Sequence, residues 1–279
     1  MKVLVTGVSG QLGFDVMREL LARGVEAKGA SRSDFSLTDF AAMRRFVEAH
    51  RPTAIIHCAA YTAVDKAEDE PELCREVNAA ATGELARLAK ELGAKFLYIS
   101  TDYVFPGTGE DFYEPEDEKA PCNVYGESKL LGEEAALEAL EELFIVRISW
   151  VFGENGKNFI KTMLRLAETH EELSVVGDQI GSPTYTRDLA RLLADMIETR
   201  KYGVYHATNE GTCSWAELAK EALRCAGKKT RVKAIKTEEY PTKAKRPKNS
   251  RLSKKCLDDA GFSRLPDWRD AVARYVELI

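Results

Sequence analysis

Eight residues near the start of the chain constrain it most. Thr6-Gly7-Val8-Ser9-Gly10-Gln11-Leu12-Gly13 follows the apolar run Val3-Leu4-Val5 and opens an amphipathic stretch that continues to about Arg23. Glycines spaced in this way between a strand and a helix permit a tight turn. They also let an anion approach the backbone N–H groups at the helix N-terminus. Glycine marks ordinary strand-to-helix turns too, so the spacing takes its meaning from its place at the head of a strand–helix series. It predicts a dinucleotide-binding turn shaped by Gly7, Gly10 and Gly13.

That series runs through the first half. A candidate strand at Val25 to Ala30 and short apolar runs at Ala54 to Cys58, Phe96 to Ile99 and Phe144 to Ile148 alternate with helical stretches at Phe40 to His50, Glu72 to Leu92 and Tyr125 to Leu140. Continuous rather than alternating apolar strands imply a parallel sheet covered on both faces. The fold class is α/β, a Rossmann-type doubly wound sheet with a smaller C-terminal region. Residues 1–150 are expected to form the nucleotide-binding domain, with a segment near 185–208 returning to it, and residues 151–279 mainly a second region. The 228–255 segment holds twelve basic and two acidic residues in a chain of net charge −5. It offers positive potential to an anion. No aromatic platform or recognition motif accompanies it, so nucleic acid is not the expected partner.

Composition excludes other classes. Of 279 residues, 44% are hydrophobic and 30% charged, far from collagen-like or disordered chains. No apolar run approaches the ~20 residues that cross a bilayer, and the N-terminus lacks the apolar segment of a signal peptide. A cytoplasmic, non-membrane protein is expected. Cys58, Cys74, Cys122, Cys213, Cys225 and Cys256 form no CxxC pair and do not cluster with the histidines, so free thiols and no metal site are expected.

Two further stretches carry chemistry. After the second strand, where an acid often accepts from a ribose 2′-hydroxyl, the chain has Ser31-Arg32-Ser33 before Asp34. An arginine and hydroxyls suit a 2′-phosphate, favouring NADPH, with NADH possible. Asp34 and Phe35 are expected to flank the adenine. Tyr125-Gly126-Glu127-Ser128-Lys129 places a phenol and an ammonium one helical turn apart. A nearby ammonium would draw the phenol's pKa down toward working pH. Ser100-Thr101-Asp102 follows a strand, where parallel sheets hold ligands, and Thr101 can donate to a substrate carbonyl. Each stretch has a plainer reading as a surface pair or a turn cap.

Taken together, these motifs resemble the extended short-chain dehydrogenase/reductases. The stretches Ala59 to Glu68, Ser100 to Phe105, Ser149 to Gly153, Asp178 to Thr184 and Arg246 to Ser250 are similar to dTDP-4-dehydrorhamnose reductases, in order along essentially the whole chain. The resemblance implies reduction of a 4-keto nucleotide-sugar, with Tyr125 as proton donor, tuned by Lys129, and Thr101 beside it. It implies Gly10, Gln11 and Leu12 on the cofactor pyrophosphate, and Ala59, Ala60 and Tyr61 along the cofactor. Thr101, Asp102 and Trp150 would meet the sugar. Gln179, Arg246, Asn249 and Ser250 would serve the nucleotide portion, with Arg246 suited to a diphosphate. A homodimer is possible by the same analogy. Two alternatives stay open: another 4-keto nucleotide-sugar, or a regulatory role like that of the methionine adenosyltransferase β subunit.

Overall fold

The computed structural model describes residues 1–279. Six strands make one sheet, all parallel: β1 (Lys2–Thr6), β2 (Glu26–Ala30), β3 (Ala54–His57), β4 (Lys95–Thr101), β5 (Leu143–Ile148) and β6 (Gly203–His206). Their spatial order is β6-β5-β4-β3-β1-β2. The order reverses beside β1, so the crevice for a ligand opens at the carboxyl ends of β1 and β3. β3, β4 and β5 are almost wholly buried, as a sheet covered on both faces requires.

One face is covered by α1 (Gln11–Ala22) and α5 (Thr186–Glu198). Val16 and Leu20 meet Leu189, Leu193 and Met196 over Val3, Val5 and Ile56. α2 (Phe40–His50), α3 (Ala81–Leu92) and α4 (Val124–Ala139) cover the other, where Met43, Leu85 and Ala136 pack over Leu4, Ile55 and Phe96. α3 continues from Pro71–Arg75 through a π-helical turn, Glu76–Ala80. Such turns often sit at functional positions.

The chain leaves the sheet after β5 and returns at β6. A separate apolar cluster forms the second region, where Phe152, Ile160 and Tyr185 pack with Leu218, Trp268 and Tyr275. Small ladders pair Glu172–Val176 with Arg231–Ile235, and join Ile180–Gly181 to both Cys213–Ser214 and Asn249–Ser250. No helix is long and apolar enough to cross a membrane.

Candidate active site

The glycine turn fits an anion. Gly7 has φ +72°, and a Cβ there would lie 2.7 Å from the Ala59 nitrogen. A Cβ on Gly13 would lie 2.4 Å from the Gly7 carbonyl oxygen, so α1 could not approach β1 as closely with any other residue. α1 has no side-chain cap and no acid in its first turn, which leaves its orphan N–H groups and positive dipole end to a ligand. Gln11 and Leu12 occupy that first turn. The residues present fit a dinucleotide pyrophosphate.

Ala59 touches this turn, and Ala60 and Tyr61 continue from it. The Tyr61 N–H donates to Asn78 Oδ1 at 2.8 Å, and the Asn78 amide donates to the Tyr61 carbonyl and to Ser128 Oγ. Asn78 lies in the π turn. It ties the Ala59–Tyr61 loop to α4, a link sequence reading missed because an isolated asparagine carries no spacing signal.

Tyr125 and Lys129 share one face of α4. Asn123 caps that helix by accepting from the Gly126 N–H, and Glu68 accepts from the Val124 N–H. Lys129 is buried and donates to the Ile99 carbonyl at 2.7 Å, with Nζ 4.1 Å from the centroid of the Tyr98 ring. Burial pulls its pKa down to about 7. Tyr125 is half-buried as a residue, and desolvation raises its pKa, opposed by the Thr101 hydroxyl. The expected lowering by Lys129 is absent here. The ammonium spends its charge on a strand carbonyl, and removal from water dominates the phenol.

Thr101 ends β4, is buried, and donates to Asp102 Oδ1 at 3.0 Å while accepting from the Tyr103 N–H. It therefore caps the short turn Asp102–Val104 as well as facing the phenol. Asp102 is 3% exposed, its Oδ2 has no protein partner, and burial pushes its carboxyl up to about 7. Ser250 lies beside Asp102, where its hydroxyl opposes that rise. Ser250 thus sits with the Thr101–Asp102 pair at the end of β4.

Other expected site residues are differently engaged. Phe35 gives its ring to the core, 5.2 Å from Phe46, instead of to an adenine. Asp34 accepts from the Ser31 N–H and hydroxyl, which holds its carboxyl below the usual range. Arg32 stays exposed, available to a phosphate. Asn249 is buried and spends its amide on the Thr108 and Asp111 carbonyls, so it shapes a loop and leaves no group for a nucleotide. Gln179, also buried, donates to Thr237 Oγ1 at 3.2 Å. Arg246 binds both Asp65 oxygens, at 2.7 and 3.0 Å. It still lines a cleft of about 800 Å³ with Asp178, Thr237, Tyr240, Lys248 and Arg251. The basic segment thus meets its own carboxylates as well as the cleft.

Trp150 has φ +49°, a conformation rare for a bulky side chain, and stacks on Trp215 with ring centroids 3.8 Å apart. Backbone strain of this kind gathers at functional sites. Trp215 was not foreseen, and no local pattern marks it.

Comparison with known proteins now decides the family. Residues 1–279 match the family described as RmlD substrate binding domain. The dTDP-4-dehydrorhamnose reductase of Escherichia coli (strain K12) is 40% identical over 98% of this chain and 96% of its own length.

The chain belongs to the dTDP-4-dehydrorhamnose reductase family.

Among other members of the family, the dTDP-4-dehydrorhamnose reductase of Bacillus anthracis str. Ames, solved in complex with NADP, superposes with a TM-score of 0.97 at 41% identity, covering 100% of both chains. The spore coat polysaccharide biosynthesis protein SpsK of Bacillus subtilis (strain 168) is 40% identical over 99% of this chain and 97% of its own. A Thermus thermophilus UDP-glucose 4-epimerase, at 21% identity and TM-score 0.84 over 99% of this chain and 98% of its own, shares the fold. Within this reductase-family fold, Thr101, Asp102, Tyr125 and Lys129 converge at the carboxyl end of β4.

Proposed function

We propose that the chain reduces the C4 keto group of dTDP-4-dehydro-L-rhamnose, giving dTDP-L-rhamnose, with NADPH as reductant. When bound, the nicotinamide supplies the hydride. The chain's own residues hold, orient and protonate. One observation carries the reading: a phenol and a buried lysine share one helix face at the carboxyl end of a parallel sheet that also carries a glycine turn fitted to a pyrophosphate.

Tyr125 is the proton donor. As negative charge grows on the C4 oxygen, hydrogen bonds from Tyr125 and from Thr101, whose single hydrogen turns from Asp102 to the substrate, stabilise it, and Tyr125 then releases its proton to that oxygen. The phenol holds its proton until the transfer, and the charge growing on the C4 oxygen draws that proton across. Lys129, fixed on Ile99, offers hydrogens to a cofactor ribose. Asp102 orients the Thr101 hydroxyl. Trp150 packs on the sugar, and Arg246 serves the diphosphate as it exchanges Asp65 for phosphate oxygens. Arg32 with Ser31 selects the 2′-phosphate. Gly10, Gln11 and Leu12 hold the pyrophosphate, and Ala59, Ala60 and Tyr61 line the cofactor. The nucleotide-binding portion is residues 1–150 with the returning segment near 185–208, and the sugar-nucleotide portion is mainly 151–279.

The test is NADPH oxidation followed at 340 nm over a panel of 4-keto nucleotide-sugars, with NADH in parallel. Turnover confined to the dTDP-4-keto-L-rhamnose substrate is expected. Turnover of a different sugar in its place overturns the substrate assignment.

A further inference from the structure

The loop Gly153–Asn158 comes from the second region but lies on the glycine turn. Asn155 donates to the Ser9 and Gly10 carbonyls, at 2.9 and 3.3 Å. The two amide hydrogens of Asn158 are shared among three acceptors, Gln11 Oε1 at 3.0 Å, the Gly153 carbonyl at 3.0 Å and the Tyr275 hydroxyl at 2.8 Å. Its own Oδ1 accepts from the Lys161 N–H at 3.0 Å, as the N-cap of the helix Phe159–Leu166.

These bonds fix an orientation without ambiguity. A backbone N–H can only donate, so the Asn158 oxygen faces Lys161 and its NH2 faces Gln11. The Tyr275 hydroxyl donates to the Gly153 carbonyl at 2.9 Å and so takes a hydrogen from Asn158. Gln11 must then turn its own oxygen toward Asn158, and its Nε2 has no protein acceptor. That leaves a two-hydrogen donor at the first residue of α1, where the turn receives an anion.

We infer that Asn158 is a positioning residue for the cofactor: it locks the Gln11 amide so that Nε2 donates to the pyrophosphate. The inference rests on the dinucleotide reading above and adds to it a side-chain donor and the residue that aims it. Asn158→Asp is close in shape and keeps the helix cap. It presents an acceptor to Gln11, which must flip its NH2 away from the phosphate.

The test is fluorescence titration with NADPH, alongside displacement by adenosine 2′-monophosphate, which has no pyrophosphate. Gln11→Ala and Asn158→Asp should each weaken NADPH about tenfold, the size expected for a hydrogen bond to a charged group. Adenosine 2′-monophosphate should bind all variants alike, and the double variant should bind NADPH no more weakly than Gln11→Ala. Equal loss for both ligands, additive losses in the double variant, or wild-type NADPH affinity in either single variant overturns the inference. If Asn158→Asp fails to fold, Asn158→Ser, which keeps a cap oxygen and removes the amide that holds Gln11, takes its place with the same expected loss and the same overturning results. A wild-type chain that binds no NADPH at all would strike the dinucleotide reading first, and this inference with it.

Discussion

The Lys129 ammonium hangs from the Ile99 carbonyl at 2.7 Å, held by strand β4 while its own helix presents Tyr125 one turn earlier. The bond fixes the distance between helix and sheet at the point where the site must be rigid. Tyr125→Phe keeps the ring and removes only the proton. It is expected to lower kcat by about 10²-fold or more, the range of general-acid catalysis, with NADPH affinity unchanged. Steady-state kinetics and a binding titration check the two halves separately.

Asp102 gives a stability that depends on pH. Its carboxyl is raised from an ordinary 3.8 to about 7, chiefly by burial. Between those values the folded chain holds a proton that the unfolded chain has lost. Its contribution to stability is full below about 4 and disappears as pH rises through about 7. Relative to Asp102→Asn, which cannot ionise, the wild type should lose stability across that window. Urea midpoints of the two proteins at pH 4.5 to 7.5, as sampling points in that range, should diverge steadily. Parallel curves would mean that Asp102 is already ionised when folded.

Glu133 and Arg147 form a sealed ion pair. Arg147 Nε and Nη2 donate to the two Glu133 oxygens at 2.9 and 2.7 Å, Ser100 adds a third bond, and both side chains are buried. Removal of one partner strands the other charge. Glu133→Ala is expected to cost about 3–5 kcal/mol in urea unfolding, whereas replacing both with apolar residues of similar volume should cost less than that.

Cofactor choice should lie with Arg32, exposed at the end of β2. Arg32→Ala is expected to weaken NADPH by about tenfold or more, the loss of a charge-assisted bond, and to leave NADH unchanged. Kd values for the two cofactors in the same buffer decide it. A parallel loss for both would place Arg32 in folding instead of phosphate recognition.

The parts of the fold set by local chemistry were legible in the sequence. Continuous apolar runs announced β3, β4 and β5, and the glycine spacing announced the turn that Gly7 and Gly13 build. A turn of helix brings Tyr125 and Lys129 to one face without any help from the rest of the chain. Other features were hidden because they join distant segments. Lys129 bonds a strand thirty positions away, Asp65 pairs with Arg246 across 181 positions, and Asn158 reaches Gln11 across 147. Asn158 left a trace as a cap before an amphipathic run, though the trace names a helix start and nothing more. Phe35 misled for the opposite reason: its place beside Asp34 suggested a ligand, and the tertiary packing on Phe46 claimed it.

The excursion between β5 and β6 has a practical consequence. The chain departs at one strand, builds the first part of the second region, and comes back at the sheet's outer edge, bringing Leu189, Leu193 and Met196 with it, before it leaves again to complete that region. A gene truncated near codon 150 would yield a polypeptide missing its edge strand, with the apolar side chains of α1 left bare to solvent. Such a half-protein should aggregate on expression, so attempts to trade second regions between relatives must splice at three junctions, after β5 and on both sides of the returning segment, not one.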